Sequence, residues 1–487
     1  MWATLFSWLF VGWYAVLWSL FLLGLSQAKK RYARLPTSDE PPVPLDPTAA
    51  STPGVSILRP LRGLDCNLYE NLEASFRQDY RKFEIIFSVA DEADAAIPIV
   101  KELCDRYPNV QSKLIVGQEV VGVNPKINNL IRAYRAAEYD LVWVLDSNVL
   151  TSETCLSRSV PLFSSSGSAD PNARPIGLVH HLPFAIYPDT HLGSRVEQVY
   201  LCSTHAKMYL AINRVAVASC VTGKSCLYRK SDLARAAARK RERGRLPLPP
   251  PGLAGTEEGG LAAFGQYLGE DNEIGVAIWE ELGMRHAMGV EVAGNTVGSM
   301  TLATYFRRRV RWIRVRKYMV TASTLVEPLT EGVLSGLLGA LALKHLFSLP
   351  AWLFLPAHFL AWYTLDSSLY RALLPASPAR STATRPPAHD GPGFGYLQAW
   401  AVREALALPI WLFAMMGDTV GWREEGTVYR VQRDGSVRAL NDGEQEAWVE
   451  RAWAAVVQRQ RGSRKGYVTI SPGDVEAAQA PIHAEVR

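Results

Sequence analysis

Two aspartates in this sequence come directly after apolar runs that are typical of buried strands. Asp146 follows Leu141–Leu145, and Asp91 ends the stretch "FEIIFSVAD". In open α/β sheets, ligands bind outside the carboxyl ends of the strands, where both carboxylates would stand. Mg²⁺ or Mn²⁺ takes carboxylate and phosphate oxygens together, and so lets a carboxylate face a diphosphate. The pattern predicts a metal-assisted diphosphate site at Asp146; the alternative is that Asp146 only caps a turn.

Lys126 and Asp271 each stand at the predicted start of a helix. In "NPKINNL", Asn124 fits the N-cap and Pro125 the first helical position. Lys126 would add an ammonium group to that helix N-terminus, which favours a phosphate, or it could be an ordinary solvated lysine. Asp271, in "GEDNEIG", is either an N-cap or a general base, and a base must reach the acceptor hydroxyl by a hydrogen bond.

The stretch "RRVRW" lies in a helical segment from Leu302 to Tyr318. Arg308, Arg311 and Trp312 stand at positions i, i+3 and i+4 and therefore share one helix face. The segment is basic and interleaved with aromatic residues, which is typical of a helix at a membrane surface. A membrane-surface role alone would explain the composition, but not the shared face.

Strand-like and helix-like segments alternate through the first third of the chain. The apolar runs are Val55–Leu58, Phe83–Val89, Val110–Val116 and Leu141–Leu145, and the helical segments are 67–78, 97–107 and 125–138. This alternation predicts an α/β fold with a mostly parallel, doubly wound sheet. Further along, the patterns predict strands near 176–179 and 217–228 and a helix near 195–211.

The first 28 residues carry no charged side chain, and Lys29, Lys30 and Arg31 follow at once. About 20 apolar residues cross a bilayer, and flanking basic residues favour the cytosolic side. We therefore predict a transmembrane helix followed by a cytosolic domain, in which the six cysteines, none at metal-ligand spacing, are reduced. A net charge of +5 from 52 basic and 47 acidic residues does not indicate nucleic-acid binding.

Composition divides the chain into six parts. They are an N-terminal transmembrane helix (1–28), a linker (29–52), a cytosolic catalytic domain (53–300), an amphipathic interfacial helix (301–319), membrane-embedded helices (320–420) and a polar tail (421–487). The basic, then Pro-rich and Gly-rich segment 234–260 predicts a disordered insertion in the catalytic domain. The apolar segments 332–349, 352–365 and 400–416 are short or interrupted by polar residues, so the number of crossings and the side of the tail stay open.

Taken in order, Asp91, "LDSN", "GEDN" and "RRVRW" resemble the D…D…D…(Q/R)xxRW signature of membrane-bound processive-type glycosyltransferases. More narrowly, "GVNPKINNL", "GLVHHLP", "EQVY", "CVTGKSCLYRK" and "FGQYLGEDNEIG" are similar to the ceramide glucosyltransferase family, from about Val55 to Trp422 apart from the insertion. The resemblance implies a GT-A-type nucleotide-sugar-binding domain, with UDP-glucose as donor, ceramide as acceptor and Mg²⁺ or Mn²⁺ as cofactor. It also implies a multi-pass protein of Golgi or early secretory membranes, with its catalytic domain facing the cytosol.

The resemblance further implies a role for each matched residue. Asp91 would bind the uridine, Asp146 the metal and diphosphate, and Asp271 would be the base of an inverting single displacement. Asn148 stands where a second acid is common, so Asp146 would be the only direct carboxylate ligand. The side chains implied to hold the donor phosphates are Lys126, Arg308, Arg311 and Trp312, with Trp312 also at the acceptor.

His180 would belong to the acceptor site. His181 follows it where the family usually has a glycine, which leaves the choice between the two histidines open. Three other functions compete with the family's reaction: a processive polysaccharide synthase, an enzyme that transfers another sugar to another lipid, and an inactive scaffold or lipid-transfer protein. A synthase commonly needs more membrane spans than the sequence provides, and a scaffold needs neither the three aspartates nor the Arg–Trp face.

Overall fold

The computed structural model describes residues 1–32, 52–164, 174–247, 260–378, 394–421 and 427–440. Nearly all of them belong to one unit, Met1–Gly421 together with Tyr429–Arg438. A second unit, Trp422–Val428 with Ala439–Arg487, lies mainly outside the described residues. The predicted linker falls almost wholly outside them as well, and so does most of the polar tail.

Eight strands form one mixed sheet. They are β1 Val55–Leu61, β2 Phe83–Val89, β3 Ser112–Val116, β4 Leu141–Leu145, β5 Val149–Leu150, β6 Ile176–Pro188, β7 Ser225–Arg229 and β8 Arg285–Gly298. The order across the sheet is β3-β2-β1-β4-β7-β6-β8-β5. Strands β3, β2, β1 and β4 run parallel, as do β6 and β8, whereas β7 is antiparallel to both neighbours and β5 to β8. The predicted α/β class with a mostly parallel sheet is confirmed.

Helices cover both faces of this sheet. The helices up to β8 are α1 Trp2–Tyr32, α2 Leu68–Phe76, α3 Ile97–Arg106, α4 Pro125–Ala136, α5 Cys155–Ser159, α6 Leu192–Tyr200, α7 Ala206–Val215, α8 Lys230–Glu242 and α9 Glu270–Glu281. One core packs Ile57 and Trp143 against α2, α3 and α5, and the other packs Leu58 and Val142 against α4, α8 and α9. Alternate residues of each central strand feed opposite cores, which explains why these strands are apolar throughout.

Two features differ from the sequence prediction. The disordered insertion predicted at 234–260 is wrong for its first residues, because α8 continues to Glu242 and buries Leu233, Ala236 and Ala237 at helical spacing. Residues 248–259 lie outside the described residues. Strand β8, which the sequence analysis did not predict, pairs with β6 along most of its length.

The C-terminal part is mainly helical. It contains α10 Leu302–Arg316, α11 Thr321–Val326, α12 Gly332–Phe347, α13 Ala351–Leu373 and α14 Phe394–Met415, followed by β9 Thr419–Gly421, β10 Val428–Val431 and β11 Val437–Ala439. Among the described helices, α1 alone is long and apolar enough to cross a membrane; the segments 321–330 and 332–347, bent by 66° at a short break, meet the same criterion as a pair. The number of crossings stays a prediction.

Helix α1 packs directly on the domain that follows it. It contacts α7, α12 and α13, and a Cβ at Gly24 would lie 2.4 Å from the Lys207 carbonyl oxygen of α7. The fully buried Lys207 Nζ lies 2.8 Å from Asp366 Oδ1 on α13, and Trp400 Nε1 of α14 donates to Asp366 Oδ2 at 2.9 Å. Four helices therefore meet around one buried ion pair.

Candidate active site

The carboxyl end of β4 brings Asp146 to a sheet edge that it shares with the start of β7. Because β7 is antiparallel to β4, Leu145 lies opposite Ser225 and Lys224 comes beside Asp146. Lys224 Nζ donates to Asp146 Oδ2 at 2.8 Å, and Lys126 Nζ lies 2.8 Å from Oδ1. Burial alone would raise the pKa of Asp146, but the two ammonium groups outweigh it and hold the pKa below its ordinary value. Asp146 is therefore a carboxylate at neutral pH.

A buried arginine fixes the turn after Asp146. Arg59 is fully buried and donates to the Ser147 carbonyl at 3.4 Å and the Val149 carbonyl at 3.2 Å. Burial lowers the pKa of Arg59 to about 9, which still leaves the guanidinium charged at neutral pH. Ser147 Oγ hydrogen-bonds the Asp65 carboxylate. These contacts hold the edge rigid, as a site for charged ligands requires.

The first turns of α4 and α9 are tied together at the same edge. As predicted, Asn124 is the N-cap of α4, and its side chain accepts from Lys126 N at 2.8 Å. Its amide nitrogen donates to Glu270 Oε2 at 2.9 Å and to the Tyr267 carbonyl at 2.7 Å, and Lys126 Nζ lies 3.0 Å from Glu270 Oε1. Two helix N-termini and two ammonium groups thus surround Asp146, an arrangement that favours phosphate groups.

Asp271 is the second residue of α9, whose N-cap is Gly269, so the N-cap alternative for Asp271 is wrong. The side chain borders a cavity of about 20 Å³ that is also lined by Lys126 and Gly223. Burial raises the pKa of Asp271 to about 7, with a further rise from Glu270 and Asp146 and an opposing effect from Lys126. A carboxyl group with this pKa is a stronger base at neutral pH than a free aspartate.

Gly223 gives the Asp271 carboxyl group its space. A Cβ at position 223 would lie 2.7 Å from Asp271 Cγ and 2.8 Å from Oδ2. We expect Gly223→Ala to displace that carboxyl group and to lower kcat about 10²-fold, the effect of an error of about 1 Å in a reacting geometry. Steady-state kinetics would measure this, with Gly12→Ala as control, because a Cβ there meets nothing within 4 Å. An equal effect of both substitutions would contradict the prediction.

Asp91 lies on the same edge of the sheet, beyond the end of β2. Strand β1 separates β2 from β4, so Asp91 and Asp146 are two strands, or roughly 10 Å, apart. The Asp91 side chain is exposed and accepts a hydrogen bond from Ala93 N at 2.9 Å. This separation suits a ligand with two polar ends, one of which binds at each aspartate.

Helix α10 reaches the site through Arg308. Arg308 Nε lies 3.1 Å from Glu197 Oε1, on a fully buried carboxylate of α6, and its guanidinium lies 5.4 Å from the Trp312 ring centroid. Burial lowers the pKa of Lys224, and the charge of Arg308 lowers it further against the opposing effect of Asp146. The positive charge of Arg308 therefore contributes to the electrostatic environment of Lys224. Arg311 lies half-buried one turn further along α10.

The two histidines of β6 face opposite sides of the sheet. His181 is hydrogen-bonded at both ring nitrogens, to Ser225 Oγ at 2.7 Å and Ser159 Oγ at 2.9 Å, as expected of a core residue. His180 Nδ1 accepts from Tyr209 Oη at 2.6 Å, and Tyr209 Oη accepts in turn from Thr222 N at 3.1 Å. Burial lowers the pKa of both imidazoles, which are therefore neutral. His180 is fully buried, so it lies behind the Thr222–Lys224 segment and supports it.

Several site residues were missed by the sequence analysis. They are Lys224, Glu270, Glu197, Arg309 and Arg59. Lys224 and Glu197 lie within the quoted stretches "CVTGKSCLYRK" and "EQVY", but nothing in the local pattern shows what they face. Arg309 adjoins Arg308 and shares its neighbours, because its Nη2 lies 3.1 Å from the same Glu197 Oε1 and its guanidinium lies 4.1 Å from the Trp312 ring centroid.

The donor atoms at this edge fit a divalent cation. Lys224 Nζ bridges Asp146 Oδ2 at 2.8 Å and Asn148 Oδ1 at 3.0 Å, so a cationic group already occupies the space between two oxygen ligands. Mg²⁺ characteristically takes one or two carboxylates and completes its shell with phosphate and water. No cluster of three or more His, Cys, Asp or Glu residues suited to a metal occurs within the described parts of the chain. The fit is therefore to an ion held jointly by the protein and a phosphate ligand.

Comparisons with known proteins identify related chains. The model of glycosyl transferase family 21 matches residues 13–237 and 255–437. A ceramide glucosyltransferase of Komagataella phaffii is 34% identical over 470 residues, covering 88% of this chain and 90% of that protein. One from Candida albicans is 32% identical, covering 78% and 87%. A mannosyltransferase structure from Pyrobaculum calidifontis, solved with GDP-Man and Mn²⁺, matches with a TM-score of 0.40 and 16% identity, covering 79% of this chain and 100% of that one.

Proposed function

The chain belongs to glycosyl transferase family 21, and from this premise we propose that it transfers glucose from UDP-glucose to the primary hydroxyl of ceramide, giving β-glucosylceramide and UDP. Relatives named ceramide glucosyltransferase at 34% and 32% identity support the acceptor and the sugar. The observation that carries the mechanism is the meeting of Lys126, Asp146, Lys224 and Asp271 at one edge of the sheet.

Asp271 is the proposed base. The primary hydroxyl of a lipid is a weak acid, so a carboxylate must take its proton as the new C–O bond to the sugar forms. Burial and two neighbouring carboxylates raise the pKa of Asp271 to about 7, which makes it able to accept this proton near neutral pH. A single displacement by the hydroxyl inverts the anomeric carbon and gives a β-glucoside.

The leaving group is UDP, and negative charge grows on its β-phosphate as the glycosidic bond to phosphate breaks. Lys126 and Lys224, with Arg308 from α10 and the first turns of α4 and α9, are placed to stabilise that charge. Asp146 and Asn148 would hold Mg²⁺ or Mn²⁺, which supplies further neutralisation of the diphosphate. Asp91, two strands away, is proposed to bind the uridine, and Arg311 and Trp312 to complete the phosphate and acceptor side.

A membrane location follows from the acceptor. Withdrawing a two-chain lipid from a bilayer costs roughly 0.8 kcal/mol per methylene, so the enzyme must meet the lipid at the membrane surface. Helix α1 supports membrane association. We propose a multi-pass protein of Golgi or early secretory membranes, with the domain division predicted from the sequence and the catalytic domain in the cytosol.

A transfer assay on the detergent-solubilised full chain tests this function. Labelled UDP-glucose is offered with ceramide, without ceramide, with diacylglycerol in its place and after chelation of divalent metal. We expect rapid formation of a β-glucosyl lipid only when ceramide is present, at most slow transfer to diacylglycerol, and less product after chelation. Transfer to diacylglycerol alone, or from UDP-galactose but not UDP-glucose, would reject the proposed substrates.

The pKa of Asp271 predicts the acid side of the pH profile. Because only the deprotonated carboxylate accepts a proton, we expect kcat/KM for ceramide to fall about tenfold per pH unit below pH 7. Glu270→Gln removes one charge that raises this pKa, so the fall should begin at a lower pH. Measured pH–rate profiles of the two proteins test both statements, and coincident profiles would contradict the assignment of Asp271 as base.

A further inference from the structure

A second cavity lies beside α10. It is bounded by α6, α10, α14 and the segment leading into α12, and its volume is about 30 Å³. About 10 to 15 Å³ holds one water molecule, so the space suits a small polar group such as an amide or a hydroxyl and excludes a sugar ring or a nucleotide. Its polar and aromatic lining includes Tyr200, Tyr305, Arg309, Trp312, Glu331 and Arg403.

Arg309 is held rigidly in the wall of this cavity. Its side chain is buried, its Nη2 lies 3.1 Å from Glu197 Oε1, and its guanidinium lies 4.1 Å from the Trp312 ring centroid and 4.2 Å from that of Tyr200. Its Nε and Nη1 are buried and make no hydrogen bond of ordinary distance and angle with the described residues, and the nearest other polar side chain is that of Tyr200. Buried donors of a charged group are costly to leave unpaired, so these two N–H groups indicate a missing oxygen acceptor.

The charges around the cavity indicate that its ligand is neutral. Each guanidinium in the lining has a carboxylate partner: Arg309 pairs with Glu197, Arg316 with Glu327, and Arg403 with Glu331. Two of these carboxylates, Glu327 and Glu331, line the cavity together with the three arginines, so a phosphate would lie against negative charge as well as against the arginines. A carbonyl or hydroxyl oxygen would satisfy the Arg309 donors without disturbing this balance.

The helix that lines the cavity also covers the segment that carries the proposed base. A Cβ at Gly269, two residues before Asp271, would lie 3.3 Å from side-chain atoms of Val315, in the last turn of α10, and of Met319, which follows that helix. A group held against Arg309 and Trp312 is thus attached to the same helix that borders the site of transfer.

We propose that this cavity binds the polar part of the lipid acceptor, with Arg309 Nε–H and Nη1–H donating to its amide carbonyl or secondary hydroxyl oxygen. This rests on the proposed function and deepens it, because it assigns selectivity for an amide-bearing lipid to Arg309, which occupies an unspecified position within the RxxRW signature. Arg309 acts by binding the acceptor and takes no part in the proton transfer.

Filling the cavity from α14 is the first test. Ala407 lines the cavity, whereas Ala405, on the same helix, is exposed and does not. We expect Ala407→Leu to raise the KM for a short-chain ceramide at least tenfold and to leave the KM for UDP-glucose unchanged, while Ala405→Leu changes neither. Ala407→Val serves if the larger side chain prevents folding. An unchanged ceramide KM in a folded Ala407 variant would overturn the proposal.

Arg309→Gln tests the recognised group. Losing a hydrogen bond from a charged donor lowers affinity by about tenfold to a hundredfold, so we expect kcat/KM for ceramide to fall by that factor. Hydrolysis of UDP-glucose without acceptor should be retained, and slow transfer to diacylglycerol, which has a primary hydroxyl but no amide, should not fall further. Equal losses with both lipids would overturn the proposal while leaving the proposed function intact. Failure of the wild-type protein to glucosylate ceramide would overturn both.

Discussion

Asp271→Asn is expected to lower the rate of glucosyl transfer by about 10²- to 10⁴-fold, the range that general base catalysis contributes. The amide keeps the size of the carboxyl group but cannot accept the proton of the acceptor hydroxyl. Because Asp146 and the two lysines remain in place, the affinity for UDP-glucose should change little. Transfer kinetics together with calorimetric titration of UDP-glucose would separate the two effects.

The same substitution should not destabilise the protein above pH 7. Burial raises the folded-state pKa of Asp271 from the ordinary aspartate value of 3.8 to about 7, so folding loses stability as pH rises through that interval and the carboxyl group ionises beside Glu270 and Asp146. Removing the charge should raise Tm at pH 8. Glu280→Gln, an exposed carboxylate-to-amide change on the same helix, is the matched control and should leave transfer intact. Loss of UDP-glucose affinity as large as the loss of rate would show that Asp271 binds the donor instead.

Asp146→Asn should have the second-largest effect. It should weaken UDP-glucose binding in a way that depends on the divalent metal. The substitution removes the carboxylate proposed to hold Mg²⁺ or Mn²⁺ and leaves the ammonium groups of Lys126 and Lys224 without their shared partner. We expect UDP-glucose to bind at least tenfold more weakly in the presence of metal, and with an affinity that no longer responds to chelation. Residual binding should become more sensitive to salt, because it then depends on the two lysines alone.

Titration of UDP-glucose with and without a chelator measures this. Asp105→Asn, a change at an exposed aspartate of α3, controls for the loss of one negative charge. Donor affinity that keeps the wild-type response to chelation would exclude Asp146 as a metal ligand.

The strands that carry the donor-side aspartates could be predicted because each is buried on both faces. The run before Asp146 is uniformly apolar, the run before Asp91 is apolar except for Glu84 and Ser88, and their predicted bounds agree with β2 and β4. Strand β8 was missed because it contains the polar residues Glu291, Asn295 and Thr296. They are buried and hydrogen-bonded in the fold, which no local sequence pattern indicates. Polar residues inside a strand remove the apolar signal on which the prediction depends.

The site was predictable only where a residue type follows an element directly. Asp146 and Lys126 were predicted because each comes next to a strand end or a helix start. Lys224 reaches Asp146 only through the antiparallel register of β4 and β7, and Glu197 reaches α10 only through the packing of α6 against it. Such contacts are set by tertiary structure, so a single sequence does not contain them.

The ion pair between Lys207 and Asp366 gives α1 a structural role beyond tethering the chain to a membrane. Lys207 lies two residues before Tyr209, whose hydroxyl supports His180 and the Thr222–Lys224 segment, and α1 lies against the Lys207 backbone. Removing α1 to obtain a water-soluble enzyme would expose that ion pair and loosen α7, the helix that supports Lys224. The packing of α1 and the support of the Thr222–Lys224 segment are therefore linked through α7.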